Sequence, residues 1–125
     1  MKKYRVKAFI KDNSVRKNEK IFSLKPTRNT TFDDIVNEMA QQNSGINREL
    51  LRASSQLFLD TLTAALLNGN VVNLPLFRAA LSFRGAVEGE AWDSERHSVV
   101  AQFTQGKALK ELLNNEVEVD VVGEP

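Results

Sequence analysis

Cysteine is absent from this sequence, and histidine and tryptophan each occur only once. Without cysteine the chain can form neither a disulfide nor a thiolate metal site, which fits a reducing compartment. A zinc site built from several histidines is also impossible within one chain, because His97 is the single histidine. We interpret His97, which lies in a polar segment, as an exposed loop residue, and we expect neither a metal nor a cofactor.

Long apolar runs and catalytic motifs are missing as well. No stretch approaches the roughly 18 apolar residues that a membrane span needs, and residues 1–5 lead into no signal-like segment, so we expect a cytoplasmic protein without a membrane partner. No glycine-rich phosphate loop or nucleophile turn occurs. Asp33 and Asp34 are explained by the first turn of a helix, where carboxylates are favoured. We therefore predict no catalytic residue, no enzymatic activity and no small-molecule substrate.

The composition is that of an ordinary globular domain, with 42% hydrophobic and 26% charged residues among 125. Its charge, however, is unevenly distributed. Residues 1–31 hold ten lysines and arginines against Asp12 and Glu19, a net charge of +8, which leaves −7 for the rest because the total is +1. This asymmetry can mark a nucleic-acid-facing end. It fits equally well a solvated hairpin whose lysines discourage edge-to-edge strand pairing.

Two periodicities divide the first half of the chain. Residues 3–11 and 20–25 alternate apolar with polar side chains, which predicts two strands joined by a mobile loop. From Thr30 the apolar spacing becomes helical. This first helix should end near Gln42, before the turn residues 43–45.

The longest predicted helix follows that turn. Asn47 should cap its N-terminus, and Asn68–Gly69 should end it in a left-handed conformation. Its apolar positions form a broad stripe, namely Leu50, Leu51, Leu57, Phe58, Leu62, Ala65 and Leu66. The short first helix cannot cover so wide a stripe, so we predict a homodimer in which the partner covers the rest.

The second half predicts a sheet, a short helix and a last strand. The predicted strands are residues 71–74, 77–83, 99–103 and 117–121. Pro75 breaks the chain between the first two, and a hairpin through the polar segment 85–98 joins the second to the third. Thr104 should cap the short helix. The chain stops at residues 123–125, which could be a linker to a further domain.

This order of elements resembles the HU/IHF family of histone-like bacterial DNA-binding proteins. Residues 32–114 carry the resemblance. The segment 68–74 is similar to that family's glycine-terminated second helix and first strand, and the segment 99–110, with its Gly-Lys pair before Ala-Leu-Lys, is similar to its third strand and closing helix. Residues 1–31 and 115–125 together resemble a variant from gut bacteria in which extra strands precede an immunoglobulin-like domain.

The resemblance implies a fold and a function. The fold would be α+β, a single HU-like domain over residues 1–125 that consists of an N-terminal β extension, an HU-like core and a C-terminal strand or linker. Two helices would form the base of a dimer, beneath a saddle-shaped sheet whose β-arms reach round the minor groove. Such a protein neutralises phosphates and deforms the duplex, and it reads few bases directly.

Two segments carry the predicted DNA contacts. These contacts are Arg78, Arg84, Arg96, Gln105, Gly106, Lys107 and Lys110. The last four lie in the first turns of the closing helix, where unpaired N–H groups and the helix dipole favour an anion. The arginines would line one basic surface, since Arg78 and Arg84 share a strand face and Arg96 lies across the hairpin. A turn-forming role for Gly106, and ordinary solvation of the cations, remain open.

The arm departs from the family's pattern. It is shorter by several residues than the usual arm, and it lacks the tip proline that acts as an intercalating wedge. It also carries four carboxylates that repel phosphate, at Glu88, Glu90, Asp93 and Glu95. Trp92 could replace the wedge, or it could fold onto its own surface or that of a partner. A displaced DNA contact at the N-terminus, formed by Lys2, Lys3, Arg5 and Lys7, would compensate for the short arm.

Two functions therefore remain in view. The first is sequence-tolerant binding and bending of double-stranded DNA by a histone-like homodimer in the bacterial nucleoid. The alternative is an HU-like dimerisation or protein-interaction module in which DNA binding is weakened or lost. The basic N-terminus and the Gly106–Lys107 turn favour the first function, and the acidic arm favours the second.

Overall fold

The computed structural model describes residues 2–42, 45–89 and 91–125. Within these residues the chain forms three helices, which are α1 (Phe32–Gln42), α2 (Arg48–Leu67) and α3 (Lys107–Glu116). The six strands are β1 (Tyr4–Asp12), β2 (Lys20–Lys25), β3 (Val72–Asn73), β4 (Phe77–Arg84), β5 (Ser98–Gln105) and β6 (Val117–Val121). They build two three-stranded sheets, so the predicted α+β class is confirmed.

Nearly all predicted elements occur, with small shifts at their ends. The predicted turn after the first helix is described only at Gly45, because Asn43 and Ser44 lie outside the described residues. None of the described helices combines the length and the apolar character that crossing a membrane requires. The residues separate into a terminal unit, Met1–Thr31 with Lys110–Pro125, and a central unit, Phe32–Leu109.

The sheet of the terminal unit has β1 at its centre. β2 pairs with β1 antiparallel on one side, and β6 pairs with it parallel on the other. Because side chains alternate across a strand, the even-numbered residues of β1 share one face and the odd-numbered residues share the other. The even-numbered face is apolar and includes the buried Ala8. The odd-numbered face carries Arg5, Lys7 and Lys11, with the half-buried Phe9 between the two lysines.

Helices α1 and α2 pack against each other in the central unit. Val36 of α1 is fully buried, whereas no described residue of α2 is buried. Polar contacts join the two helices at one end, where Arg52 of α2 donates to Asp33 at 3.2 Å and lies over the Phe32 ring. Arg48 donates to Asn37 at 2.6 Å. Leu50, Leu57 and Phe58 of the α2 apolar stripe nevertheless remain exposed.

Both ends of α2 are capped as the sequence predicts. The Asn47 side chain accepts a hydrogen bond from the Glu49 N–H at 2.7 Å. At the other end Gly69 has a φ of +85°, and its N–H donates to Leu66 O. The next N–H, of Asn70, donates to Ala65 O. This pair of bonds is the Schellman arrangement, and the left-handed φ that it needs favours glycine.

The sheet of the central unit has the order β3-β4-β5, with all pairs antiparallel. The β4–β5 ladder runs without interruption from Phe77–Gln105 to Arg84–Ser98. Its odd-numbered residues form an apolar face that includes the fully buried Ala79. Its even-numbered residues form a face that we call the polar sheet face. This face comprises Arg78, Ala80, Ser82, Arg84, Ser98, Val100, Gln102 and Thr104, and it also includes Asn73 of β3, which pairs with Arg78.

The predicted start of the last helix was wrong. Thr104 does not cap the helix, because it lies within β5, opposite Arg78, and its hydroxyl donates to Arg78 O at 3.4 Å. The ladder continues through Gln105, so helix α3 begins at Lys107. Gly106 is the buried residue between strand and helix, and its N–H donates to Leu76 O at 2.9 Å.

Replacing Gly106 with alanine should destabilise the protein. A Cβ there would lie 2.6 Å from the Pro75 carbonyl carbon and 2.8 Å from that of Leu76, where only backbone could yield. We expect Gly106→Ala to lower the free energy of unfolding by about 3 kcal/mol. Urea denaturation at one fixed protein concentration measures this change, with Gly123→Ala as the control because a Cβ at Gly123 meets nothing within 4 Å. Equal stability of the two variants would contradict the close backbone packing around Gly106.

Candidate nucleic-acid interface

The polar sheet face brings Arg78 and Arg84 together. Both lie on β4, both are exposed, and their even numbering puts them on one side of the sheet. They are six positions apart, which is about 20 Å along a strand. Their cross-strand partners are Thr104 and Ser98, so hydroxyl groups flank both guanidinium groups. None of the nine residues of the polar sheet face is acidic.

A shallow cavity of about 300 Å³ lies on this face. It is lined by Ser82, Arg84, Val100, Ala101 and Gln102. Small hydroxyl, amide and guanidinium groups are the donors that contact phosphate and sugar in protein–DNA complexes. The face is therefore chemically suited to a nucleic-acid backbone.

Arg96 does not join the other two arginines on the ladder. It lies in the loop of residues 85–97, where its guanidinium forms an ion pair with Glu88 and approaches Asp93 at 3.9 Å. Two carboxylates thus hold its charge within the loop. Of the four predicted arm carboxylates, Glu90 lies outside the described residues.

The same loop is held closed by His97. The ring Nδ1 accepts a hydrogen bond from the Asp93 N–H at 2.9 Å, and Nε2 lies 2.9 Å from Ala86 O. Since a carbonyl only accepts, this geometry assigns the ring proton to Nε2. His97 does lie in the loop, as expected, but its ring is half-buried and both nitrogens are used. The sequence offered one signal for this role, the i, i+4 spacing of Asp93 and His97.

Trp92 folds onto its own hairpin. Its ring lies 5.1 Å from the His97 ring and 5.7 Å from Phe83, edge to face. An apolar cavity of about 360 Å³ lies beside these rings, lined in part by Val87 and Ala91. About half of the Trp92 surface stays exposed, and Val87 is 79% exposed. The tip thus combines apolar surface with acidic side chains.

Gly106 lies close to the backbone of another segment of its own chain. Its N–H and the N–H of Leu109 donate to the carbonyls of Leu76 and Pro75, at 2.9 and 3.3 Å. These bonds use two of the amide groups at the start of α3. Lys107 and Lys110 stand exposed, one helical turn apart. The phosphate site predicted at residues 105–107, with Lys110, remains a prediction.

The N-terminal cations have different partners. Arg5 donates to Glu118 at 3.0 Å and lies 3.6 Å from Asp120, and this hydrogen bond and the carboxylate charges raise the pKa of the Arg5 guanidinium. Lys2 donates to Asn114 O at 3.4 Å. The Lys3 ammonium lies 5.5 Å from the centre of the Tyr4 ring.

Lys7 differs from these three. It lies on β1 directly opposite Lys25 of β2. Its neighbour on β6 in the register is Asp120, whose carboxylate Arg5 approaches. The four cations of the predicted N-terminal contact therefore differ in their surroundings. Lys2 and Arg5 have polar or ionic partners, Lys3 lies over an aromatic ring, and Lys7 faces another lysine.

Comparisons with known proteins agree on the class of protein. A family model described as a DNA-binding domain, HU-DNA_bdg, matches residues 5–123. The chain therefore belongs to this family of DNA-binding domains. The match includes most of β1 and all of β2 and β6, which lie outside the segment that carried the resemblance in the sequence.

A solved structure is also similar. It is the crystal structure of a candidate bacterial DNA-binding protein from Bacteroides vulgatus, with a TM-score of 0.85 and 37% sequence identity. The similarity covers 98% of this chain and 50% of the other, so this chain spans about half the length of that protein. No curated protein matches the chain.

Removing the His97 ring should loosen the hairpin loop. His97→Ala leaves the Asp93 N–H and the Ala86 carbonyl without the partners that they have in the structure, and it removes the ring beside Trp92. Because Trp92 is the single tryptophan, its fluorescence reports this loop alone. We expect a red shift of several nanometres, whereas Ser94→Ala in the same loop should leave the emission unchanged. An emission spectrum of His97→Ala identical to that of the wild type would contradict the role of His97.

Proposed function

We propose that this protein binds duplex DNA with little sequence preference and bends it, as a histone-like homodimer of the bacterial nucleoid. The observation that carries the proposal is the polar sheet face, which presents Arg78 and Arg84 without any carboxylate on the same face. Their spacing of roughly 20 Å corresponds to about six base-pair steps. Membership in a family of DNA-binding domains supports the same function.

Phosphate neutralisation explains why sequence preference should be weak. Guanidinium, hydroxyl and amide groups on the polar sheet face suit phosphate oxygens, which carry no sequence information. Lys107 and Lys110 at the start of α3 would add two further contacts. The hairpin loop would contribute little charge, because Arg96 is paired with Glu88 there. Bending would then follow from contacts to the backbone on both halves of the dimer.

The dimer itself is proposed from exposed apolar surface. The accessible surface is 10562 Å². A single compact globule of 14.0 kDa would expose about 6,700 Å², and two separate globules that share this mass would expose roughly 8,000 Å². On α2, Leu50, Leu57 and Phe58 are 55–67% exposed. Such residues are buried in stable folds, so we propose that the second subunit covers them.

A second candidate function rests on the hairpin loop. Its apolar surface at Val87 and Trp92, next to Glu88 and Asp93, suits a protein partner better than it suits phosphate. In that case the fold would serve as a dimerisation or protein-interaction module with weakened DNA binding. The test of DNA binding below decides between the two functions.

Binding to DNA should depend steeply on salt. We would measure fluorescence anisotropy of a labelled duplex of about 30 base pairs at several salt concentrations, with energy transfer between labels on its ends to report bending. Arg78→Gln with Arg84→Gln should make the slope of log K against log salt less negative by about 3.6, because the homodimer loses four phosphate contacts and each contributes about 0.9. The control, Arg16→Gln with Lys17→Gln, removes the same charge from the β1–β2 loop. A wild-type dimer that binds no duplex at low salt would overturn the proposal and favour the interaction module.

The dimer should depend on the apolar surface of α2. We expect light scattering to give twice the 14.0 kDa mass of one chain, and we expect the melting temperature to rise with protein concentration. Leu57→Glu should abolish the dimer, because it would bury a carboxylate in the interface. Gln56→Glu adds the same charge at the adjacent residue and should remain dimeric. A wild-type monomer, or a Leu57→Glu variant that dimerises as well as Gln56→Glu, would count against this dimer.

A further inference from the structure

We propose that the charged face of the terminal sheet, at Lys7, Lys11 and Lys25 with Arg28 beside it, is a second binding site for the DNA backbone. Lys7 and Lys11 lie on the same side of β1, because four residues separate them. Lys25 lies directly opposite Lys7 on the neighbouring strand. Arg28 follows in the segment after β2. The inference rests on the proposed DNA binding and adds a site to it.

Two lysines in direct opposition need an explanation. Like charges at directly opposed positions of an antiparallel pair destabilise the sheet. Lysines on an edge strand can be explained as protection against unwanted strand pairing. That explanation fails for Lys7, because β1 is the central strand and pairs with β2 on one side and β6 on the other. A bound anion would relieve the repulsion between Lys7 and Lys25.

The carboxylates of this sheet do not neutralise the cluster. Glu118 and Asp120 of β6 contact Arg5, at 3.0 and 3.6 Å. Asp12 lies 3.7 Å from Lys20. Among the described residues, no carboxylate oxygen lies within 4.0 Å of a side-chain nitrogen of the cluster, which is the distance that defines an ion pair. Their charge is therefore available to a ligand.

A cavity adjoins one end of the cluster. Its volume is about 380 Å³, and its lining includes Lys7, Lys25, Arg28, Thr27 and Thr30. Lysine, arginine and threonine side chains are common phosphate contacts in protein–DNA complexes. All of the lining residues belong to the terminal unit, so the site is complete within it.

The spread of the cations favours a polymer over a single phosphate. Lys7 and Lys11 are about 13 Å apart along the strand, which is too far for one phosphate group to contact both. A nucleic-acid backbone places a phosphate every few ångströms and can meet all four cations. The proposed site also revises the N-terminal DNA contacts predicted from the sequence. Lys7 remains a contact, whereas Arg5 is paired with carboxylates. Three further cations, Lys11, Lys25 and Arg28, are added.

The test compares two triple variants that lose equal charge. Lys7→Gln, Lys25→Gln and Arg28→Gln are combined in the first, and Arg16→Gln, Lys17→Gln and Lys20→Gln in the second. In the anisotropy experiment on a duplex of about 30 base pairs, the first variant should bind at least tenfold more weakly. Its slope of log K against log salt should be less negative by about 5.4, because the dimer loses six contacts of about 0.9 each. The second variant should change the slope by less than one contact.

Two further readouts separate the alternatives. Thermal melting should show the first variant at least as stable as the wild type, because the opposition of Lys7 and Lys25 is removed. Calorimetric titration with inorganic phosphate at constant ionic strength tests for a small ligand instead. If the wild type binds DNA and the two triple variants show equal slopes of log K against log salt, the second site is overturned while the proposed function stands. The second site is also overturned if the first variant loses phosphate binding while its slope of log K against log salt for DNA is unchanged. A wild type that binds no DNA overturns both proposals.

Discussion

The close passage of Gly106 beneath Pro75 and Leu76 is the constraint on which much of the central unit depends. The Gly106 N–H donates to Leu76 O, and a Cβ at this position would collide with backbone carbonyl carbons. The contact ends β5, begins α3 at Lys107 and holds the turn that leads into β4. It therefore decides where the exposed lysines of α3 stand.

Charge pairing, more than total charge, distinguishes the surfaces of this protein. With a net charge of only +1, the chain has nearly as many carboxylates as cations. Several carboxylates form ion pairs with nearby cations, as Glu118 and Asp120 do with Arg5, and as Glu88 does with Arg96. Two surfaces escape this neutralisation. They are the polar sheet face of the central unit and the lysine face of the terminal sheet, and both suit a polyanion.

Exposed apolar surface sets a second limit on the isolated chain. The buried hydrophobic residues of the described chain are Ala8, Val36 and Ala79, which is too small a core for 125 residues. Most of the free energy that stabilises a domain comes from burial of apolar side chains. The exposed apolar residues of α2 are the surface on which the proposed dimer depends, and they belong to the same unit as the polar sheet face.

Local patterns in the sequence were enough to place the helices and strands, apart from the start of α3, and both caps of α2, because periodicity, Asn47 and Gly69 act over a few residues. The family resemblance followed from the order of the elements and from the segments 68–74 and 99–110, and the shared face of Arg78 and Arg84 followed from strand alternation. Only the tertiary structure decided that Thr104 continues a strand, because its partner Arg78 lies 26 residues away. It likewise decided which cations are paired. Arg5 meets Glu118, and Lys7 meets Lys25, through strand pairings that no local pattern encodes.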